Sequence, residues 1–311
     1  VFILDEAHVL RNSRGKSQRK TEKQQEIEKE TGLIPRNQSI LNLSNMTQHK
    51  VALSGTPSVN SPEDIFAILQ FLYPKIFTSY WNFIFYYFET QKGHFGGFEI
   101  KGYINEDKEK EFQELLNLIS SNNKQEDKLT WLIQPKIYKK EIELNEFQKE
   151  LEKTLTEEAR IGFHFVLSPL EMQTHYQTIV TNPSTLQQIE TDNIGAKNEY
   201  LIAQLKENTK DNVAIFSTRG KNIESLFKVI KKDKELKDRE TFVITGKTTP
   251  ENTLIIQEKI NKMEPKNGII LLATISAVKE GVSFQGLTKA YVTNQSFVQV
   301  DMQQLFNRLN A

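Results

Sequence analysis

Val1-Phe2-Ile3-Leu4-Asp5-Glu6-Ala7-His8-Val9-Leu10 is the stretch from which the fold of this 311-residue chain is read. Its apolar run ends abruptly in two carboxylates. A run this short predicts a buried parallel strand that delivers charge to its carboxyl end. Open α/β sheets bind ligands at that edge. In a nucleotide-hydrolysing site Asp5 would hold Mg²⁺, and Glu6 would orient or deprotonate the attacking water. The same residues also fit a strand running into an acidic turn, with His8 a satisfied polar side chain. A metal hydrolase built on Asp5, Glu6 and His8 is a third reading, but the remaining chain offers no ligands at suitable spacing.

Composition narrows the class. The length accommodates two ordinary domains. At 38% hydrophobic residues, with no apolar run long enough to cross a bilayer, the chain reads as a soluble globular protein without a membrane partner. The absence of cysteine excludes disulfides, thiolate zinc sites and cysteine nucleophiles, and fits a reducing, cytoplasmic setting. Lysine plus arginine equals aspartate plus glutamate at 40 each, so affinity for nucleic acid has to come from local basic surfaces. The residues Arg11, Arg14, Lys16, Arg19, Lys20 and Lys23 read first as a solvated loop and exposed helix, with a phosphate-facing surface as the functional alternative. Richness in Asn, Lys and Ile suggests an AT-rich genome, bacterial or phage. Val1 starts inside a strand, so a longer parent protein is expected.

Downstream, Val51-Ala52-Leu53 reads as a strand ending in the small-residue turn Ser54-Gly55-Thr56-Pro57. Ser61, Pro62 and Asp64 form a box-like helix start, and Ile65, Ile68, Leu69 and Leu72 repeat at helical spacing. The aromatics from Tyr80 to Phe88 are dense enough to read as core in preference to a base-stacking surface. Gly93, Gly96 and Gly97 mark a loop. Glu106 to Ile119 and Asn145 to Ile161 read as amphipathic helices, and Pro135 to Leu144 alternates like a strand. His164 and His175 show no metal-ligand spacing with a partner and read as structural. From Lys197 an α/β rhythm returns: a helix to Leu205, a strand Asn212–Ser217, a helix Ile223–Ile230, and strands at Phe242–Ile244, Gly268–Ala273 and Ala290–Thr293. Strands and helices alternating in this way predict a parallel sheet covered on both faces. Thr245-Gly246-Lys247-Thr248 imitates the end of a phosphate-binding P-loop, but Thr241 stands where that loop needs glycine, so a turn is expected.

Taken in order, these stretches resemble the superfamily-two DEAH-box helicases and translocases, and specifically the Swi/Snf type. Asp5-Glu6-Ala7-His8 resembles motif II, and Ser54-Gly55-Thr56-Pro57 resembles motif III. Phe71-Leu72-Tyr73-Pro74 and the segment from Pro135 to Gln148 are similar to the family's sequence in the same places. Ile215-Phe216-Ser217 sits at motif IV, and Thr274 to Phe284, with Glu280-Gly281-Val282-Ser283, resembles motif V. Gln304 and Arg308 match the glutamine and first arginine of motif VI, while Ala311 stands where the second arginine is usual.

The resemblance implies an α/β fold of two RecA-like parallel-sheet lobes, the first truncated at its N-terminus, with a largely helical insertion between them. The expected boundaries are 1–89 for the end of lobe 1, 90–195 for the inserted segment and 196–311 for lobe 2. It implies a DNA-dependent ATPase that uses ATP and Mg²⁺ to move on duplex DNA and remodel protein–DNA complexes. Asp5 would hold Mg²⁺ through water, and Glu6 would be the catalytic base. His8 would couple to Ser54, Gly55 and Thr56. Gly281, Gln304 and Arg308 would bind nucleotide, with Arg308 also catalytic, and Ser217 and Thr274 would contact nucleic acid. The inserted segment would offer a protein partner a surface. With the P-loop half of lobe 1 missing, the segment alone is expected to be inactive. The competing expectation is a degenerate, non-catalytic module that binds DNA or protein.

Overall fold

A computed structural model of the chain describes residues 1–12, 36–55, 61–93, 97–121, 136–262, 268–278, 281–296 and 299–309. The chain divides into two compact units, residues 1–129 and 130–311.

In the first unit, β1 (Phe2–Leu4) runs into a 3₁₀ turn at Ala7–Asn12, and α1 (Arg36–Asn45) leads to β2 (Lys50–Ala52). β1 and β2 pair in parallel, with Phe2, Ile3 and Leu4 opposite Lys50, Val51 and Ala52. Leu4, Ala7 and Leu10 point into the core, where they meet α2 (Phe66–Leu72) and α3 (Tyr80–Tyr87). Much of the aromatic run is core as expected: Phe83, Ile84, Tyr87 and Phe88 are buried, and Phe83 lies within ring-contact distance of Phe66, Phe77 and Phe112, while Phe85 and Tyr86 are exposed. The chain then forms the hairpin β3 (Phe88–Lys92) and β4 (Phe98–Tyr103), followed by α4 (Glu106–Ile119). The α4 start is stabilised by Asn105, whose side chain accepts from the Lys108 amide at 2.9 Å, and by Glu106, Asp107 and Glu109 against the helix dipole. The other face of the strand pair is uncovered among the described residues of this unit: Ile3, Val51 and Leu53 are exposed. Parallel strands are normally covered on both faces.

The second unit begins with α5 (Glu146–Glu158), opened by a capping box between Asn145 and Gln148. A short hairpin, β5 (Arg160–Ile161) with β6 (His164–Phe165), precedes α6 (Pro169–Thr181) and α7 (Ala196–Glu207). The repeating part follows: β7 (Val213–Ser217), α8 (Gly220–Lys232), β8 (Thr241–Ile244), α9 (Pro250–Asn261), β9 (Ile270–Thr274), α10 (Ile275–Val278), β10 (Lys289–Val292) and α11 (Gln299–Arg308). These strands form a parallel sheet in the order β10-β7-β9-β8. β7 and β9 are buried throughout. Each fully buried aliphatic side chain there contributes about 1.5–3 kcal/mol of transfer free energy. The α/β parallel-sheet expectation therefore holds.

The segment expected as an insertion, 90–195, is shared between the units: its residues through α4 lie in the first unit and those from α5 in the second. One element differs. Residues 136–145 form no strand; Ile137, Tyr138 and their lysine neighbours are exposed and have no ladder partner among the described residues. Alternation alone cannot make a strand when no neighbour accepts its hydrogen bonds. The P-loop imitation is a turn after β8, closed by the Thr245 amide donating to Thr248 Oγ1 at 3.0 Å, with Lys247 exposed and paired to Glu224.

Candidate functional site

At the carboxyl end of β1 the backbone makes a sharp turn. Leu53 donates its amide to Leu4 O and Ala7 donates to Leu53 O, both at 2.8 Å, which fixes the segment on either side of Asp5-Glu6. Between these anchors Glu6 adopts φ 49°, a left-handed conformation that costs a non-glycine residue about 1–2 kcal/mol. The Glu6 amide donates to Asp5 Oδ1 at 2.9 Å, leaving the exposed Asp5 carboxylate a second oxygen for a hydrated cation.

His8 is mostly buried, and its Nδ1 lies 3.2 Å from Glu6 Oε2 and 3.4 Å from Ser54 Oγ. Residues 46 positions apart in sequence thus meet at one nitrogen. That nitrogen either carries a proton, which it donates to the carboxylate, or offers its lone pair to the Ser54 hydroxyl. It cannot do both at once. Gly55 follows, exposed, with open space around it. Thr56 lies outside the described residues, as do the basic positions Arg14, Lys16, Arg19, Lys20 and Lys23.

In the second unit the sheet's carboxyl edge carries Ser217 and Thr274 at paired register positions. Both are buried. Ser217 Oγ donates to Asn294 Oδ1 at 2.9 Å, and accepts from the Arg219 amide and from Asn222 Nδ2. It therefore organises the edge from inside. Thr274 Oγ1 is buried with no hydrogen-bond partner among the described residues. Gly281 takes φ 75° beyond α10, and the space about it is open, so the backbone alone requires glycine there. Gln304 is half-buried in α11, which Met302 and Leu305 anchor in the core; Arg308 ends that helix.

Two basic residues that the sequence did not single out stand at this edge. Lys197 Nζ approaches Thr293 O at 3.4 Å, and burial pushes its pKa below the usual lysine value. Arg219 donates to Thr174 O and Gln177 Oε1, and burial likewise lowers its pKa. Arg219 stands between a strand's end and the next helix, and that position was the available signal. The expectation that His164 and His175 lack partners at ligand spacing also needs correction. Glu171 approaches both, because β6 lies beside the first turns of α6. The Glu171–His175 spacing of four on a helix was visible in the sequence; the third member comes from across a hairpin and was not.

No helix among the described residues is long and apolar enough to cross a membrane. A family model for the SNF2-related domain matches residues 1–214. A SWI/SNF-related matrix-associated actin-dependent regulator of chromatin subfamily A-like protein 1 homolog from Caenorhabditis elegans is 27% identical over 104 residues, covering 33% of this chain and 12% of its own length. The solved SWI2/SNF2 ATPase core domain of Sulfolobus solfataricus is 15% identical, with a TM-score of 0.40, over 99% of this chain and 59% of that one. The same core in complex with dsDNA gives 17% identity and 0.39 over 94% and 57%. The chain thus spans an eighth of the curated relative and under three-fifths of these solved ones.

Proposed function

This chain belongs to the SNF2-related domain family, and on that premise we propose that it is part of an ATP-driven motor that moves on duplex DNA and remodels protein–DNA complexes. The observation that carries this reading is the meeting of Glu6, His8 and Ser54 at one imidazole nitrogen. Glu6 is the general base for the attacking water. When His8 Nδ1–H donates to it, the carboxylate is held in one orientation. When the proton sits on Nε2, Nδ1 accepts from Ser54 and Glu6 is released. The imidazole thereby ties the state of the base to the position of the Ser54-Gly55 turn, which leads on to Thr56.

The donor set suits a hard cation: Asp5 presents an exposed carboxylate oxygen beside a second carboxylate. Magnesium, when bound, neutralises charge on the nucleotide phosphates. Asp5 would hold it through water, and the Glu6 amide donating to Asp5 Oδ1 fixes the ligand's rotamer. Gly281, Gln304 and Arg308 supply nucleotide contacts. Ser217 and Thr274 serve nucleic-acid binding by shaping the edge, with Arg219 and Lys197 as its positive charges. Residues 136–141, exposed and without regular structure, are a surface of the linking segment that a protein partner could use.

The test is ATP hydrolysis by the full-length gene product, with and without duplex DNA. Stimulation by duplex that weakens as salt rises, and falls by about 10²–10⁴ in Glu6→Gln, is the expected result. A folded product without DNA-stimulated hydrolysis, yet still binding DNA, would overturn the motor in favour of a non-catalytic binding module.

A further inference from the structure

We propose that His164, Glu171 and His175 form a site for a divalent transition metal of the zinc class, clipping the β5–β6 hairpin to α6. One ligand atom from each residue lies within 4.8 Å of the others. Glu171 Oε1 is 2.7 Å from His164 Nε2 and 3.6 Å from His175 Nε2. Donors bound to zinc at about 2.0–2.2 Å in a tetrahedron stand roughly 3.3 Å from one another. The two separations from Glu171 bracket that value, and the third pair lies within 4.8 Å. Two imidazoles and one carboxylate are the ligand types that zinc accepts while keeping a position open. Glu171 and His164 are partly exposed, which leaves that position to water or to a fourth ligand.

The site is built independently of any ion. Glu171 and His175 are one helical turn apart on α6 and so share a face. Glu171 Oε2 accepts from the Leu167 amide at 3.3 Å, while the Ser168 hydroxyl accepts from the Glu171 amide and caps the helix. His164 is held by a short hairpin whose neighbour Ile161 is fully buried and whose Val166 amide donates to Ala159 O at 2.7 Å. The hairpin's turn at Gly162 has φ 56°, and a Cβ there would come 2.7 Å from Gln188 O, so the turn is seated against the body of the unit. His175 is mostly buried, which confines its ring. Coordination requires both imidazoles neutral with the proton on Nδ1, so the present His164–Glu171 hydrogen bond is exchanged for two metal bonds. No such role follows from the motor reading, and the site stands or falls apart from it.

The test is titration of the chelator-stripped chain with Zn²⁺ alone, and with Co²⁺ to read coordination from its visible absorption. Expected are one ion per chain, a four-coordinate cobalt spectrum, a rise in melting temperature, and affinity at least about tenfold weaker in His164→Gln. His164 is half-exposed, so that variant keeps the fold; unchanged circular dichroism checks this, and His175→Gln provides a second loss. Undiminished binding in both variants, or binding abolished instead by Glu6→Gln, overturns the proposal. So does the absence of any ion bound tighter than about 100 μM, since a built three-ligand zinc site exceeds that by orders of magnitude.

Discussion

Removing the guanidinium of Arg239 should loosen the parallel sheet from its amino-terminal edge. Arg239 Nε donates to Gly268 O at 2.6 Å, Nη1 to Leu205 O at 2.7 Å and Nη2 to Asp211 O at 2.9 Å. One planar fork thus closes the end of α7 and the loops entering β7 and β9. Hydrogen bonds to a charged group contribute about 1.5–3 kcal/mol each in mutational series. Three would sum to several times that, but Arg239 is only half-buried and water would reach some of the vacated carbonyls. A net loss of about 2–4 kcal/mol is expected for Arg239→Met, which keeps the apolar stem. Arg239→Lys should recover about a third, because a single ammonium cannot reach three divergent acceptors. The assay is amide hydrogen exchange of Val213–Ser217 and Ile270–Thr274, which samples the opening of that sheet. At 1.4 kcal/mol per factor of ten, protection there should drop by about 30- to 700-fold. Unchanged exchange in Arg239→Met, or complete rescue by lysine, would refute the reasoning.

Lys197→Met should match or exceed the native chain in stability at neutral pH. Burial lowers the folded-state pKa of Lys197 below its ordinary value; between that lowered pKa and the unfolded one the unfolded chain holds more protons, so native stability rises with pH through this window and the variant's advantage shrinks. Urea unfolding of both proteins at neutral and alkaline pH checks the sign. Gly286→Ala should cost at least about 2 kcal/mol or prevent folding, because its Cβ would meet the backbone oxygen of Ile260 at 2.2 Å; a melting temperature within a degree of native would contradict it. The bare β1–β2 face should drive self-association of the chain, which Ile3→Lys with Val51→Lys should suppress. Sedimentation velocity over a range of concentrations reads this, and a native chain that stays monomeric throughout would refute it.

The second unit was legible because its strands are continuous apolar runs. Val213–Phe216 and Ile269–Ala273 are buried on both faces, and such a run means a covered parallel strand. The positions of Asp5 and Glu6 at the end of β1, and of Ser54 after β2, were legible for a different reason: a strand's end fixes where its next side chain stands. The 136–145 segment misled, because alternation reports only that a strand could form, while its hydrogen-bond partners lie elsewhere in sequence. The left-handed turn at Glu6 had no signal at all, since the residue type disfavours it and the Leu4–Leu53 and Ala7–Leu53 bonds that flank it join distant parts of the sequence. The His164–Glu171–His175 cluster was half legible, one pair by helical spacing and the third member by nothing local.

The buried amides behind the sheet edge carry a consequence for inheritance. Asn222 Oδ1 accepts from Asn182 Nδ2 and Asn198 Nδ2, both at 2.9 Å, while its own Nδ2 donates to Ser217 Oγ at 3.3 Å and Thr293 Oγ1 at 3.5 Å. Every proton and lone pair of that side chain is committed, and each partner lies on a different element. An apolar exchange at any one position removes an interior partner where Asn198 Oδ1 is already without one among the described residues, so single steps to apolar residues are disfavoured in this neighbourhood. Asn182, Asn198, Ser217, Asn222 and Thr293 should therefore be passed between descendants as a set, either kept whole or replaced together.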